Sequence, residues 1–325
     1  MKVLVTGGAG FIGSHACDRL LARGDQVHAL DNLRLGRMAN VAHLLENPRF
    51  RFLEADLLDL ERLRALFAAE RYDAVLHLAA NSDIQRSTAE TDLDLRLNCV
   101  TTHNVLECAR LAGTREILFA SSSTVYGAHV RPLAEDTGPL LPVSLYGAGK
   151  LAAEAFLSAF AALFDLSVWI FRLPNVVGSR MTHGAVHDFI HRLREEPARL
   201  VVLGDGRQRK PYVLVDEVLD AVFLAWERSR ERVNCFNLGV NTTSSVQRLA
   251  EIVIEEMGLA NVAIEYTGGA GGWPGDVPRF QYNLRKIHAL GWQAQLTSDE
   301  AVRFAARRQI DWTAALTSST QEERS

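Results

Sequence analysis

The chain has 325 residues, of which 48% are hydrophobic and 23% are charged, a balance typical of a globular protein with a substantial core. The formal net charge of −4 and the lack of a basic run argue against a nucleic-acid partner, and the apolar stretches are too short to span a membrane. Four scattered cysteines without a Cys-x-x-Cys pair predict a cytoplasmic protein with reduced thiols, without a disulfide framework or a zinc site.

The first half of the chain alternates between strand-like apolar runs and helical periodicity. Strands are predicted at residues 2–6, 26–30, 50–54, 74–78, 116–120 and 166–170, and helices at residues 12–22, 60–69, 95–111 and 146–164. Strands separated by helices of this length form βαβ units around a parallel sheet that is covered on both faces. The predicted fold class is therefore α/β, with a Rossmann-like, doubly wound parallel sheet.

After residue 173 the alternation of strands and helices becomes less regular, which predicts a second, smaller α/β domain interleaved with the first. We assign residues 1–172 and a returning segment near residues 212–240 to the first domain. The smaller domain is assigned residues 173–211 and 241–315, followed by a disordered polar tail at residues 316–325.

A glycine-rich turn joins the first predicted strand to the first helix. Gly7, Gly10 and Gly13 are spaced Gly-x-x-Gly-x-x-Gly, and glycine permits both the tight turn and the close approach of the backbone to a pyrophosphate. The glycine spacing alone is weak evidence, but it is informative here because the turn lies between a predicted strand and a predicted helix. The sequence therefore predicts a dinucleotide-binding turn.

An acidic residue ends each of the next two strands. Asp31 would accept hydrogen bonds from the adenosine ribose and would repel a 2′-phosphate, which favours NAD over NADP. The nearby Arg34 and Arg37 leave NADP open. Asp56 is placed to contact the adenine edge, or equally to act as a helix N-cap before Leu57.

Tyr146 and Lys150 are four residues apart in a predicted helix, so both side chains lie on one face and can act on one site. A free tyrosine has a pKa of about 10, and its use as a base near pH 7 requires a decrease of roughly three units. A lysine ammonium and a cationic nicotinamide ring are charges that lower such a pKa.

These motifs occur in order together with several others, and the chain resembles the extended short-chain dehydrogenase/reductase family. The resemblance is closest to its UDP-glucose 4-epimerase-like, nucleotide-sugar members of the NAD-dependent epimerase/dehydratase group. It covers nearly the whole chain. The motifs that carry it are Thr-Gly-Gly-Ala-Gly-Phe-Ile-Gly, Asp31-Asn32-Leu33, Asp56-Leu57, His77-Leu78-Ala79-Ala80, Ser121 to Gly127, Tyr146-x-x-x-Lys150, Phe171 to Gly178, Gly204-Asp205-Gly206-x-Gln208 and Gly275-Asp276-Val277-Pro278.

The resemblance implies a role for each matching residue. Tyr146 matches the catalytic base, Lys150 its partner on the nicotinamide ribose, and Ser122 the hydroxyl that bridges substrate and tyrosine. The first domain would bind NAD through residues Gly7, Gly10, Phe11, Ile12, Gly13, Asp31, Asn32, Asp56, Leu57, Leu78, Ala79, Ala80, Asn98, Tyr146 and Lys150. The nucleotide-sugar substrate would contact residues Ser122, Ser123, Thr124, Asn175, Arg209, Lys210 and Phe280. Asn98 is expected to support the site through backbone contacts.

Two features of the sequence bear on the reaction and its substrate. Relatives that dehydrate or decarboxylate nucleotide sugars carry carboxylates directly after the catalytic hydroxyl, where this chain has Ser123 and Thr124. Without those carboxylates the site is suited to oxidation and re-reduction. The arginine that grips the diphosphate in 4-epimerases is absent at 271–273, and Lys210-Pro211 replaces the usual Arg-Asp pair. Phe280 matches a position that narrows the sugar pocket and favours a plain hexose or uronate.

The predicted function is therefore that of a nucleotide-sugar 4-epimerase acting on UDP-glucose/UDP-galactose, or a related UDP-hexose or uronate, with bound NAD. A keto-sugar reductase, an epimerase of another nucleotide sugar or of another carbon, and a non-catalytic NAD-binding regulator stay open as alternatives. The resemblance also implies a homodimer formed through a four-helix interface of helices 95–111 and 152–164. His183, His187 and His191 have metal-compatible spacing, but no further ligand accompanies them, so we predict no metal site.

Overall fold

The computed structural model describes residues 1–84, 86–129, 132–269, 271–273 and 275–322 of the chain. Its central feature is a seven-stranded sheet in the order β3-β2-β1-β4-β5-β6-β11, in which every neighbouring pair is parallel. The strands of this sheet are β1 (Lys2–Thr6), β2 (Gln26–Asp31), β3 (Phe50–Glu54), β4 (Ala74–His77), β5 (Glu116–Ser122), β6 (Ser167–Leu173) and β11 (Val233–Asn237). The predicted Rossmann-like fold class is confirmed.

Helices cover both faces of the sheet, as expected where the central strands are buried along almost their whole length. Ser144 caps the longest helix of this region by accepting a hydrogen bond from the Gly147 backbone N–H at 3.1 Å. The helices of the chain are α1 (Phe11–Ala22), α2 (Leu60–Glu70), α3 (Thr101–Ala112), α4 (Leu145–Leu163), α5 (Ala185–Glu195), α6 (Val215–Arg228), α7 (Val246–Glu256), α8 (Arg285–Ala289) and α9 (Ser298–Glu322).

A π-helical turn precedes α3, where the sequence predicted one continuous α-helix over residues 95–111. The turn runs from Leu95 to Val100, and α3 begins at Thr101. The periodicity of apolar residues cannot distinguish a π-helical turn from an α-helical one, because the two differ by only one residue in the spacing of their hydrogen bonds. Such turns are frequently found at functional sites.

The smaller part of the fold is built from three two-stranded sheets, in which β7 (Asn175–Val177) pairs with β10 (Tyr212–Leu214), β8 (Arg199–Val202) with β13 (Ala263–Tyr266), and β9 (Arg209–Lys210) with β12 (Ser244–Ser245). Residues between Val177 and Ala306 form a core cluster of their own, with α5, α7 and α9 packed together. The returning segment supplies α6 and β11, and β11 pairs with β6. We keep the division into two domains as a proposal, which this separate core supports.

The C-terminal helix extends further than the sequence predicted. Residues 316–325 were expected to be disordered, but α9 continues to Glu322, and residues 323–325 lie outside the described part of the chain. The stretch contains neither glycine nor proline, so no residue with a strong helix-breaking effect ends it earlier. No helix in the described ranges has the length and apolar character needed to cross a membrane.

A buried ion pair joins α4 to the sheet. Arg172 on β6 donates to both carboxylate oxygens of Glu154, at 3.0 Å from Nε and 2.7 Å from Nη2. The guanidinium also donates to the hydroxyl of Tyr126 at 2.8 Å, and Ser121 on β5 donates to Glu154. Both charged side chains are more than nine-tenths buried, so each depends on the other for its charge compensation.

Arg172→Leu is expected to lower the free energy of unfolding by about 3–5 kcal/mol, because it leaves the Glu154 carboxylate buried and unpaired. Urea denaturation followed by circular dichroism measures the change. Arg115→Ala is the control, since Arg115 pairs with Asp165 at the exposed surface and should have a far smaller effect. Equal effects of the two substitutions would contradict the assignment.

Candidate active site

A cavity of about 760 Å³ lies at the carboxyl edge of the parallel strands, where ligands bind in open α/β sheets. Segments of the smaller part, among them residues 173–177, 181–186, 272–273 and 275–277, form its other wall. All but two of the predicted site residues line this cavity: Gly7, Gly10, Phe11, Ile12, Gly13, Asp31, Asn32, Asp56, Leu57, Leu78, Ala79, Ala80, Ser122, Ser123, Thr124, Tyr146, Lys150, Asn175, Lys210 and Phe280.

The glycine-rich turn has the shape required for a dinucleotide. A Cβ on Gly13 would lie 2.0 Å from the Gly7 carbonyl oxygen, so no other residue fits there. Gly7 adopts a φ of +69°, and a Cβ on it would lie 2.8 Å from the Ala79 backbone nitrogen. Gly10 provides no side-chain cap for α1, which leaves the positive end of that helix facing the cavity for a pyrophosphate.

Asp31 holds the glycine-rich turn against the end of β2. Its carboxylate accepts hydrogen bonds from the backbone N–H groups of Ala9 at 3.0 Å and Leu33 at 2.8 Å. Burial raises the pKa of Asp31, while these hydrogen bonds act in the opposite direction. The carboxylate lines the cavity, and its remaining lone pairs are available to ribose hydroxyls.

Asn32 and Asp56 are linked at the same end of the cavity, where the Asn32 amide donates to the Asp56 carboxylate at 3.0 Å. Asp56 is not the N-cap of α2. That position belongs to Asp59, which accepts a hydrogen bond from the Arg62 backbone N–H at 3.1 Å. The alternative interpretation of Asp56 as a helix cap is therefore wrong. Its contact with adenine stays a prediction.

Ser122, Tyr146 and Lys150 come together at the carboxyl end of β5. The Ser122 side chain interacts with Tyr146 and acts to lower its pKa, and Thr124 Oγ1 donates to Ser122 Oγ at 3.0 Å. Ser123 instead interacts with Tyr282, so Ser122 is the hydroxyl aligned with the tyrosine. Lys150 Nζ lies 5.9 Å from the centre of the Tyr146 ring.

The protein environment shifts the pKa of Tyr146 in the direction opposite to the decrease that a catalytic base requires. Burial raises the pKa of Tyr146 to about 12, although its hydrogen bond with Ser122 acts against this shift. Burial also lowers the pKa of Lys150 to about 7, and its ammonium donates to the Ala120 carbonyl at 2.7 Å. The protein's own groups thus favour a protonated Tyr146 at neutral pH.

Two predicted residues do not reach the cavity. Arg209 lines a separate cavity of about 610 Å³ and donates to the Thr243 carbonyl at 3.0 Å. Consecutive residues of a strand point to opposite faces, so Lys210 faces the main cavity while Arg209 faces away. Asn98 lies behind the cavity wall, where its side-chain Oδ1 accepts from the Asn81 backbone N–H at 2.7 Å. This is a contact with a backbone group, and the role of Asn98 in supporting the site stays a prediction.

Lys210 is paired with Asp276 inside the cavity. The same carboxylate accepts a hydrogen bond from the Gly272 backbone N–H at 3.1 Å, and the Trp273 ring lies 4.9 Å from Lys210 Nζ. The lysine that replaces the usual arginine is therefore already charge-compensated. This pairing was not apparent from the sequence, because residues 210 and 276 are far apart along the chain.

Several other cavity residues were not singled out from the sequence. Asn81 lines the wall after β4, and Asp188 and Arg192 lie one turn apart on α5 beside His183. Burial lowers the pKa of His183 and raises that of Asp188. Loop residues such as Asn81 carry no periodic signal, which is why the sequence did not reveal them. Within the described ranges, no group of three or more side chains is arranged to hold a metal ion.

Comparisons with known proteins agree with this geometry. A model of the NAD dependent epimerase/dehydratase family matches residues 3–239. UDP-glucose 4-epimerase of Mycolicibacterium smegmatis is 34% identical over 309 residues, covering 93% of this chain and 96% of the relative. The chain belongs to the NAD-dependent epimerase/dehydratase family.

Solved structures from the same family have the same fold. The complex of Thermus thermophilus UDP-glucose 4-epimerase with NAD is 33% identical, with a TM-score of 0.84, and the match covers 95% of this chain and 98% of that one. The Thermotoga maritima UDP-glucose 4-epimerase with UDP-glucose is 31% identical, with a TM-score of 0.86 and coverage of 97% and 100%. The predicted resemblance and the assignment of NAD as cofactor are confirmed.

Gly13→Ala is expected to abolish retention of NAD, because the added methyl group would force the glycine-rich turn away from α1. The nucleotide released by denaturing the purified protein measures its NAD content. Gly138→Ala is a matched control, since no atom lies within 4 Å of a Cβ added there. A wild-type NAD content in Gly13→Ala would show that the turn does not hold the cofactor.

Proposed function

We propose that this chain is a nucleotide-sugar 4-epimerase that oxidises the sugar transiently to a 4-keto intermediate. The observation that carries the proposal is the set Ser122, Tyr146 and Lys150 at the cavity wall, followed by hydroxyl side chains at positions 123 and 124. Elimination of water or loss of a carboxyl group would call for an acid and base beside the reacting carbon. Epimerisation needs one base and room for the ketose to turn.

Tyr146, Ser122 and Lys150 each have a separate role in the proposed reaction. Tyr146 Oη takes the proton of the sugar 4-hydroxyl and later returns it, while Ser122 Oγ hydrogen-bonds the same oxygen. Bound NAD supplies the hydride acceptor and a positively charged ring near the tyrosine. Lys150 adds a second positive charge in its protonated form, which offsets the burial that holds the pKa of Tyr146 near 12.

UDP-glucose and UDP-galactose are the proposed substrates, since several relatives that are 31–34% identical are UDP-glucose 4-epimerases. Phe280 lies at the cavity wall against Tyr282, with ring centroids 5.4 Å apart, which supports a pocket limited to a plain hexose or uronate. The pairing of Lys210 with Asp276 favours one alternative, an epimerase of another nucleotide sugar, because less positive charge is left free for the diphosphate.

We also propose that two copies pair through α3, α4 and the π-helical turn. These elements carry exposed apolar side chains, including Leu95 at 57%, Phe156 at 40% and Leu163 at 74% exposure. The His103 ring packs edge-on against Phe156, with centroids 5.6 Å apart, so the two helices form one continuous surface. A large apolar patch of this kind marks an interaction site. The free thiols of the four cysteines support a cytoplasmic location.

Proton NMR of the purified protein, incubated without added cofactor, tests the reaction. UDP-glucose, UDP-glucuronate and UDP-N-acetylglucosamine are supplied in separate samples, and we expect conversion of UDP-glucose to its 4-epimer. Tyr146→Phe should lower the rate by about 10²–10⁴-fold while keeping its NAD, since only the proton transfer is lost. Conversion only with added NAD(P)H and a keto sugar would instead identify a reductase, and no conversion of any of these substrates would point to another nucleotide sugar.

The double substitution Phe156→Lys and Leu163→Lys is expected to convert a dimer into a monomer, because two charges would enter an apolar interface. Sedimentation velocity measures the mass of each species. Phe304→Lys is the control, because Phe304 is 44% exposed on α9, outside the proposed interface. A monomeric wild-type protein would rule out the interface.

A further inference from the structure

Asp94 is a buried carboxylate directly before the π-helical turn, and the proposed reaction does not yet use it. It is 1% exposed. Its Oδ1 accepts hydrogen bonds from the amides of Asn81 and Asn98, both at 2.9 Å. Within the described ranges, its Oδ2 has no hydrogen-bond partner. A buried carboxylate with a free oxygen is costly unless a nearby cation compensates its charge.

The nearest elements bring Asp94 towards the catalytic helix. A Cβ on Gly149 would lie 2.9 Å from the Asp94 carbonyl oxygen and 3.1 Å from the Asn98 Cβ. The glycine at this position therefore lets α4 pack closely against the segment that begins with Asp94. Lys150, the next residue of α4, is 2% exposed, and the negative charge of Asp94 raises its pKa against the larger effect of burial, as it also raises the pKa of Tyr146.

The charges that face Lys150 come from four elements. Glu154 lies on α4 itself, but its carboxylate is fully engaged with Arg172 of β6. His77 on β4 is neutral, because burial lowers its pKa to about 3. Asp94 is the remaining acidic group, and no ion pair within the described ranges joins it to another basic side chain.

We propose that Asp94 is a positioning residue, whose carboxylate acts as the internal counter-ion that keeps the Lys150 ammonium protonated. Through Oδ1 it also fixes the amide of Asn98, which in turn holds the Asn81 backbone at the cavity wall. Asn81 lies in the loop after β4 that lines the cavity, and it is thus linked to the buried Asp94 carboxylate. The catalytic consequence rests on the proposed function, whereas the protonation of Lys150 does not.

The chain offers a direct measurement, because it contains only four lysines, Lys2, Lys150, Lys210 and Lys286. Protein labelled with ¹³Cε-lysine gives one NMR signal for each, and Lys150→Arg assigns the signal of interest. The pH dependence of that signal reports the ionisation of Lys150 in the full chain as purified. The signals of Lys2 and Lys286 report whether each variant is folded.

Asp94→Asn retains an acceptor for Asn81 and Asn98 but removes the charge. The Lys150 titration should then move to lower pH by about one unit, because the protonated form loses its counter-ion. Asp94→Glu, which keeps the charge, should restore most of the shift. Asp92→Asn is the control, since Asp92 is exposed and pairs with Arg96. An unchanged Lys150 midpoint in a folded Asp94→Asn protein overturns the proposal.

A second variant covers the case in which Asp94→Asn does not fold. Gly149→Ala should push α4 away from Asp94 and lower the midpoint of the Lys150 titration, as Asp94→Asn does. An unmoved midpoint would again overturn the proposal.

In an active protein, the high-pH limit of the rate should move to lower pH with the same variants, because activity is lost as pH rises through the pKa of Lys150. If the rate assay fails for every protein while the NMR shift appears, the proposed function fails and the role of Asp94 stands.

Discussion

The close packing of α4 against β5 and β6 is the constraint on which the catalytic geometry depends. The polar contacts that hold it include the bidentate pair of Glu154 with Arg172, the hydrogen bond from Ser121 to Glu154, and the hydrogen bond from Lys150 to the Ala120 carbonyl. Ser122 ends β5, so the same contacts set the distance between its hydroxyl and Tyr146. Because a buried pair is strongly disfavoured once one partner is lost, this packing resists small displacements of the helix.

The electrostatics of the site reflect a balance between burial and compensation. Burial favours the neutral forms of both Tyr146 and Lys150, whereas proton abstraction by the tyrosine requires the opposite. The protein alone moves this balance only part of the way: the Ser122 hydroxyl lowers the pKa of Tyr146, whereas Asp94 raises the pKa of both Tyr146 and Lys150. A cationic nicotinamide ring adds the missing charge when it is bound, which couples the ionisation of Tyr146 to the oxidised state of the cofactor.

The residues expected to bind the substrate diphosphate differ more from the family pattern than Ser122, Tyr146 and Lys150 do. Trp273 and the glycines before it occupy the segment where an arginine is usual, and Asp276 compensates the charge of Lys210. A nucleotide diphosphate would therefore have to compete with Asp276 for the lysine, or share it. None of these residues belongs to the set Ser122, Tyr146 and Lys150, so the differences concern binding of the nucleotide and not the proposed redox chemistry. These differences therefore concern the choice of nucleotide sugar and not the type of reaction.

The sequence alone determined the parallel sheet, the glycine-rich turn and the pairing of Tyr146 with Lys150, because each follows from local periodicity or from spacing within one element. Nearly all of the site residues that it predicted line the cavity, since the ends of parallel strands converge on one edge. Only the tertiary structure decided the orientation of Arg209, the contact of Asn98 with Asn81, the pairing of Lys210 with Asp276 and the position of Asp94. These depend on contacts between segments distant along the chain, and on the net result of burial against charge, which no local pattern of residues encodes.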